Sequence, residues 1–172
     1  SDWKKLTGKE RSIIIRRWHE LILENIDDLA LIMTLENGKP IADSRGEIIY
    51  ASWFTDWFAE EAKRTYGKTI PSTVVDKRIM TIKQPIGVCG IITPWNFPNA
   101  MITRKVAPAL AAGCSFVSRP ATETPLSALA IALLAERAGV PKGVFSVITS
   151  KKSSAIGQEF CSNPAIRKLT FT

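Results

Sequence analysis

The chain has 172 residues, 45% of them hydrophobic and 23% charged, a composition typical of a globular protein that excludes disordered, collagen-like and low-complexity chains. The formal net charge of +7 lies almost entirely in the second half, because residues 1–86 carry 14 basic and 13 acidic side chains while residues 87–172 carry 9 and 3. The basic residues of the second half are scattered without interleaved aromatic side chains, so they favour a phosphorylated small molecule over a nucleic acid.

The first third of the chain is predicted to be helical. Thr7 and Glu10 form a capping-box pattern, and apolar residues follow at helical spacing as far as residue 35. The sequence Asn-Gly-Lys-Pro at 37–40 predicts the end of that helical segment. A further helix is expected over residues 41–66, and we interpret its apolar stripe as core packing rather than a ligand-stacking surface. The stripe consists of Ile48, Ile49, Trp53, Trp57 and Phe58.

The pattern changes at residue 67. β-branched residues alternate over 68–84 and predict a hairpin of two strands joined near Val75. After Pro85, short apolar runs alternate with helical segments, which is typical of βαβ units with a parallel sheet, so the predicted fold class is α/β. Strands are expected at 86–93, 115–118, 144–148 and 168–171, and helices at 98–112, 125–138 and 153–161. Ligands of such sheets bind beyond the carboxyl ends of the strands, which here are loops 93–98, 119–124 and 149–153.

Polar residues in and near these loops suit binding or catalysis. The side-chain amide of Asn96 could donate to an oxygen that becomes negative during a reaction, but the residues alone favour the alternative that Asn96 caps the following helix. Arg119 and Thr122 suit a ribose or its phosphate, whereas Thr124 is expected to cap the next helix, which leaves Thr122 free. Arg104 could bind an anionic substrate. The alternative is that its side chain simply faces water, as most arginine side chains on helices do.

Several other kinds of site are excluded. The cysteines at 89, 114 and 161 and the single His19 are too few and too irregularly spaced for a disulfide framework or a metal site. No glycine-rich phosphate motif occurs. We interpret all three cysteines as packing residues, since the sequence identifies no base that would lower a thiol pKa. The longest apolar run, 125–134, is too short for a membrane span and no secretory signal is recognisable, so we expect a cytoplasmic protein, or a mitochondrial matrix protein if the source is eukaryotic.

Several segments together resemble the aldehyde dehydrogenase superfamily. They are Gln-Pro-Ile-Gly at 84–87, Thr-Pro-Trp-Asn-Phe-Pro at 93–98, Ala-Leu-Ala-Ala-Gly-Cys at 109–114, Arg-Pro-Ala at 119–121 and Thr-Pro-Leu-Ser-Ala at 124–128. Met-Ile-Thr-Arg-Lys at 101–105 is similar to the succinate-semialdehyde dehydrogenase branch. The resemblance covers essentially the whole chain and implies a Rossmann-like parallel sheet. Residues 1–172 would be a partial NAD(P)-binding domain, and residues 67–84 resemble the oligomerisation strands of the family.

The resemblance also implies a role for individual residues. Asn96 would stabilise the oxyanion of the thiohemiacetal that forms when a cysteine thiolate attacks the aldehyde. Arg104 would pair with the carboxylate of a semialdehyde substrate. The cofactor would contact Thr93, Pro94, Trp95 and Asn96 on its nicotinamide side, and Arg119, Pro120, Ala121 and Thr122 on its adenosine side. No residue of the resemblance is a metal ligand.

Two departures from the family pattern bear on the cofactor. Family members generally have Lys where Arg119 stands, and NAD-selective members often have Glu where Thr122 stands. Thr122 removes a carboxylate that would repel a 2′-phosphate, and Arg119 adds a fork of donors that suits one, so we expect use of NADP or of both NADP and NAD. Residues 150–152 are Ser-Lys-Lys, whereas relatives commonly have glycine at the first of these positions. The adenine-side loop is therefore expected to differ in shape.

In this family the phosphate-binding glycine turn, the general-base Glu and the nucleophilic Cys lie downstream of the strand that reaches 171–172. We therefore expect the N-terminal part of an enzyme that oxidises a carboxylate-bearing aldehyde, with no turnover by these 172 residues alone. The parent enzyme would be a homodimer or homotetramer and would bind neither nucleic acid nor membranes. The alternative is a truncated, non-catalytic module that binds nucleotide or pairs with another subunit through residues 68–84.

Overall fold

The computed structural model describes residues 2–172, and its first part is helical as predicted. After a 3₁₀ turn (Asp2–Lys5), helix α1 (Gly8–Glu24) begins at the predicted capping box: the Glu10 N–H donates to Thr7 Oγ1 (3.2 Å) and the Thr7 N–H donates to Glu10 Oε2 (2.7 Å). Helix α2 (Ile26–Asn37) ends at Gly38, whose φ of 80° is a left-handed conformation that glycine adopts without strain. Helix α3 (Ile41–Glu61) continues into a 3₁₀ turn, Ala62–Arg64.

The hairpin predicted around Val75 is present. Strands β1 (Lys68–Ile70) and β2 (Ile79–Thr81) pair antiparallel and form a small sheet of their own. All six residues of these two strands are exposed. The hairpin therefore gains little stability from the core of the rest of the chain.

The second half forms the parallel sheet that the strand and helix pattern predicted. Strands β3 (Val88–Ile92), β4 (Phe116–Arg119), β5 (Phe145–Val147) and β6 (Ile166–Phe171) lie in the order β5-β4-β3-β6, and every pair is parallel. They are connected by helices α4 (Pro98–Ala111), α5 (Pro125–Arg137) and α6 (Ser153–Ser162). The fold class is therefore α/β, and the strand order reverses beside β3, where such sheets bind their ligands.

The main core lies between one face of this sheet and helices α1, α4 and α5. Two buried indoles connect the N-terminal segment to those helices: Trp3 Nε1 donates to Leu110 O and Trp18 Nε1 donates to Ile131 O, both at 3.1 Å. Helix α6 covers the opposite face, since a Cβ on Gly90 would lie 2.9 Å from Phe160 Cδ2. Both faces of the sheet are thus covered, as a parallel sheet requires.

The interpretation of the α3 stripe as core packing is wrong for three of its five residues. Ile48 is buried and Phe58 packs on the core, but Ile49, Trp53 and Trp57 are exposed, the last two by 60% and 65%. Helix α3 packs against α1, α2 and α4. The face it presents to them carries mostly small side chains, namely Ser44, Ala51, Ser52, Thr55 and Ala59. The large aromatic residues are therefore turned away from the core.

Two further sequence expectations concern burial and membrane insertion. Cys89 and Cys114 are buried, but Cys161 is exposed on α6, so the interpretation of all three cysteines as packing residues is wrong for Cys161. Within residues 2–172, none of the helices has both the length and the apolar character needed to cross a bilayer.

Candidate functional site

The three loops singled out by the sequence lie side by side at the carboxyl edge of the sheet. The Thr93 N–H donates to Arg119 O (3.2 Å), which joins the ends of β3 and β4. The Ile148 N–H donates to Ser118 O (2.8 Å), which joins the ends of β4 and β5. Thr172, after β6, donates its N–H to Ile92 O (3.3 Å). All four strands therefore deliver their following residues to one edge of the molecule.

Arg119 and Thr122 are brought together with the third loop. Arg119 Nη2 donates to Thr122 Oγ1 (3.0 Å) and to Ser150 O (3.3 Å), and Thr122 Oγ1 lies 3.3 Å from the same carbonyl. Thr122 does not cap α5, but its hydroxyl is engaged by Arg119, and its contact with a cofactor stays a prediction. A cavity of about 290 Å³ lies against this cluster, and its lining includes Ala121, Pro125 and Lys151. A guanidinium and a hydroxyl held in this way offer donors to a ribose or a phosphate.

Asn96 lies in a loop whose backbone is fixed by the turn between α2 and α3. Asn37 Nδ2 donates to Trp95 O (2.7 Å), and Lys39 Nζ donates to Asn96 O (2.8 Å) and lies 4.3 Å from the centre of the Phe97 ring. The side chain of Asn96 is exposed. It does not cap α4, because the cap position is occupied by Phe97 and no side-chain cap hydrogen bond forms there. The alternative use of Asn96 as a helix cap is therefore wrong.

Helix α4 obtains its cap from α3 instead. Glu47 Oε1 accepts hydrogen bonds from the N–H groups of Asn99 (2.9 Å) and Ala100 (3.2 Å), while its other oxygen pairs with Lys39. Glu47 and Lys39 are both largely withdrawn from solvent. This carboxylate therefore fixes the start of α4, and through Lys39 the loop of Asn96. Sequence reasoning missed Glu47, although its position beside Ile48 on the buried face of α3 was a usable signal.

Helix α5 is capped in the same way. Thr124 occupies the cap position, but its hydroxyl makes no cap hydrogen bond, so the prediction that its side chain caps α5 is wrong. The carboxylate of Glu36, at the end of α2, accepts from the N–H groups of Leu126 (2.8 Å) and Ser127 (2.7 Å). Helices α4 and α5, which follow the site loops, are thus both capped by carboxylates from the N-terminal helices. Each carboxylate accepts hydrogen bonds from the free N–H groups at the helix start and interacts favourably with the helix dipole.

Arg104 lies two turns into α4 with its side chain exposed. Its guanidinium carbon is 5.1 Å from the centre of the Phe54 ring of α3, and its Nη1 is 3.6 Å from Met101 Sδ. Within residues 2–172 it forms no ion pair with a carboxylate. A cation resting on an aromatic face without an anionic partner can receive an anion.

Asn96 and Arg104 line different depressions, and α3 forms a wall of the one that Asn96 lines. Asn96 borders a cavity of about 450 Å³ together with Tyr50, whereas Arg104 borders one of about 520 Å³. Tyr50 and Phe54, one turn apart on α3, contact each other edge to face at 5.0 Å between ring centres. The structure thus places an aromatic wall between the two residues. Sequence reasoning missed Tyr50 and Phe54, although the aromatic stripe of α3 lay next to them.

Comparison with known proteins gives the family. The family model described as aldehyde dehydrogenase family matches residues 1–172. Glutarate-semialdehyde dehydrogenase of Pseudomonas aeruginosa is 63% identical, and succinate-semialdehyde dehydrogenase [NADP(+)] GabD of Escherichia coli K12 is 61% identical, each over 99% of this chain and 35% of the relative. A crystal structure of betaine aldehyde dehydrogenase from Staphylococcus aureus in complex with NAD⁺ is 32% identical with a TM-score of 0.94, over 99% of this chain and 34% of that one.

The chain spans about a third of the length of the curated relatives that it matches. Within that third, the match covers the helices, the hairpin and the whole parallel sheet. The chain belongs to the aldehyde dehydrogenase family.

Proposed function

We propose that this chain is the N-terminal, cofactor-binding part of a dehydrogenase that oxidises a carboxylate-bearing aldehyde, of the succinate or glutarate semialdehyde class, to the acid. The observation that supports this substrate class most directly is Arg104, which lies on the Phe54 ring without an ion-pair partner in the described chain. It is carried by the helix that follows Asn96. Relatives named for succinate and glutarate semialdehydes are more than 60% identical to this chain.

The donors at the carboxyl edge fit NADP or NAD. Arg119 Nε is buried and has no hydrogen-bond partner among the described residues, and the same guanidinium already holds Thr122 and Ser150. Because Thr122 brings no negative charge, this cluster would hold the adenosine ribose with or without a 2′-phosphate, together with Pro120 and Ala121. Thr93, Pro94 and Trp95 would line the nicotinamide side. Bound NADP or NAD would supply the hydride acceptor.

The fixed loop of Asn96 suits it as an oxyanion donor. Its backbone is held by Lys39 and, through Trp95, by Asn37, so the amide needs little reorganisation to reach an oxygen. Asn96 Nδ2 would donate to the aldehyde oxygen as that oxygen becomes negative under attack by a thiolate supplied from outside residues 1–172. Residues 67–84, with both strands exposed, would pair with a second subunit in a homodimer or homotetramer. The compartment, cytoplasm or mitochondrial matrix, stays a prediction.

The test is a steady-state assay of the full-length enzyme with succinate semialdehyde, glutarate semialdehyde and uncharged butanal, each with NADP and NAD. We expect a higher kcat/KM for one or both semialdehydes than for butanal, and turnover with NADP. Equal kcat/KM for butanal and the semialdehydes would contradict the substrate class, and strict preference for NAD would contradict NADP use. The 172-residue chain assayed alone is expected to form no NADPH or NADH.

A further inference from the structure

The loop that carries Asn96 has no backbone hydrogen bonds around that residue. Pro94 and Pro98 bound the loop, and neither of them has an N–H to donate. Within residues 2–172, the peptide groups of Trp95 and Asn96 form no hydrogen bond with another backbone group. The conformation of the loop at Asn96 therefore depends on hydrogen bonds from side chains.

Two side chains of the turn between α2 and α3 supply those hydrogen bonds. Asn37 Nδ2 donates to Trp95 O (2.7 Å), and Lys39 Nζ donates to Asn96 O (2.8 Å). These two carbonyls belong to the planar peptide groups on either side of the Asn96 Cα atom. Fixing both peptide groups fixes φ and ψ of Asn96, and with them the direction in which its side chain leaves the backbone.

The turn that carries these two donors is itself anchored on three helices. Gly38 lies between the donors, and its N–H donates to Thr34 O of α2 (3.0 Å). On one side of the turn, the Glu36 carboxylate accepts two N–H groups at the start of α5. On the other side, Lys39 pairs with the buried Glu47 of α3. Because the turn is held at all three points, its donors have little freedom to move.

The two donors differ in what else they do for the fold. Lys39 pairs with Glu47 and lies over the Phe97 ring, so its removal would also disturb the packing of α3 against α4. The hydrogen bond from Asn37 to Trp95 O is exposed to solvent, and Asn37 Nδ2 makes no other hydrogen bond within residues 2–172. Removing it should therefore change the free energy of unfolding little. Asn37 is the residue at which an effect on the loop can be separated from an effect on stability.

We propose that Asn37 and Lys39 are positioning residues that aim the side chain of Asn96, an inference that rests on the proposed oxyanion role of that side chain. They act on the rate through Asn96 and not by contact with the aldehyde. A donor that is already oriented needs no reorganisation when negative charge develops on the oxygen, so it stabilises the transition state more than a mobile donor does. Loss of the Asn37 hydrogen bond leaves the amide of Asn96 in place but lets it point in several directions.

A double-mutant cycle in the full-length enzyme tests the proposal. Steady-state kinetics at saturating cofactor are measured for wild type, Asn37→Ala, Asn96→Ala and the double variant. We expect Asn37→Ala to lower kcat about 3- to 10-fold, the worth of one neutral hydrogen bond. The kcat/KM for the aldehyde should fall by the same factor, because the affected interaction forms only in the transition state. In the Asn96→Ala background, Asn37→Ala should lower kcat no further, because the side chain that it orients is gone.

Asn25→Ala is the matched control. Asn25 lies at the opposite end of α2 from Asn37, and its Nδ2 likewise donates to a backbone carbonyl, Leu21 O (2.8 Å), so kcat should stay at the wild-type value. The same loss from Asn37→Ala with and without the Asn96 side chain would overturn the positioning role. So would an unchanged kcat in Asn37→Ala beside a reduced kcat in Asn96→Ala. An unchanged kcat in Asn96→Ala itself would contradict the oxyanion role, and the positioning role with it.

Discussion

Asn96 and Thr122 carry the chemistry of the proposal at the scale of single residues. The side chain of Asn96 is exposed and makes no hydrogen bond within residues 2–172, while its carbonyl is held by Lys39. Thr122 is the opposite case, since its hydroxyl is engaged by Arg119 and lies within reach of Ser150 O. The Asn96 side chain is thus available as a donor to substrate, whereas Thr122 helps to hold the Arg119 guanidinium in place.

Replacing Asn96 by Ala in the full-length enzyme removes the proposed oxyanion donor. We expect kcat to fall by roughly 10²–10³-fold, because the lost hydrogen bond acts on charge that develops in the transition state. Stopped-flow or steady-state absorbance at the NADPH band measures the effect. Asn163→Ala, after α6 at the opposite edge of the sheet, is the matched control, and an equal loss in both variants would count against the role.

Replacing Thr122 by Glu adds a carboxylate next to Arg119. We expect kcat/KM for NADP to fall about tenfold or more, because the carboxylate repels a 2′-phosphate and competes for the guanidinium, while kcat/KM for NAD is retained. The measurement is cofactor kinetics at saturating aldehyde. Thr122→Ser keeps the hydroxyl and should leave the preference unchanged. A parallel loss of NADP and NAD activity in Thr122→Glu would place Thr122 outside 2′-phosphate recognition.

At the scale of elements, carboxylates of the N-terminal helices hold the helices of the sheet. Glu47 caps α4 and pairs with Lys39, and Glu36 caps α5. Neither α4 nor α5 has a side-chain cap of its own, and each begins with Pro at its first position, which lacks an N–H to satisfy. The N-terminal helices therefore set the geometry of the loops that precede α4 and α5.

Removal of the Glu47 cap should destabilise the protein far more than removal of a surface carboxylate. We expect Glu47→Ala to lower the free energy of unfolding by about 3 kcal/mol, because it leaves Lys39 without its partner in a mostly buried position. Urea denaturation followed by circular dichroism measures the change. Glu136→Ala, exposed on α5, is the control and should stay within about 0.5 kcal/mol of wild type. A small effect at Glu47 would mean that water caps α4.

Local sequence predicts the individual helices and strands of this fold. It does not predict which of these elements pack against one another. The capping box at Thr7, the stop at Gly38 and the alternation after Pro85 are local signals, and each predicted its element. Which face of α3 meets the core depends on the helices around it, so the exposure of Trp53 was missed. The cap of α4 by Glu47 and the cap of α5 by Glu36 join segments distant in sequence, and no local pattern encodes such pairs.

At the scale of the whole molecule, the hairpin and the charge distribution define three surfaces. The strands β1 and β2 are exposed on all residues, with Met80 exposed by 76%. The basic second half contributes Arg119 and Lys151 to the carboxyl edge of the sheet and Arg104 and Lys168 to the cavity beside α4. The first surface suits a second subunit, and the others suit anionic ligands.

A charge in the hairpin should weaken the association of subunits. We expect Met80→Asp in the full-length enzyme to shift the oligomer towards a smaller species, because an apolar side chain of β2 is replaced by a charge that an interface would bury. Sedimentation velocity measures the shift. Val75→Asp, at the fully exposed tip of the hairpin, is the control. An unchanged sedimentation coefficient for Met80→Asp would exclude the hairpin from the interface.

In the proposed function, Arg104 selects an aldehyde that carries a carboxylate. The most direct test compares kcat/KM for succinate or glutarate semialdehyde with kcat/KM for butanal, in the full-length wild type and in Arg104→Met. We predict that the variant loses about 10- to 100-fold with the semialdehyde, the worth of a charged hydrogen bond, and loses little with butanal. An equal loss with both aldehydes, or no loss with the semialdehyde, would contradict the claim.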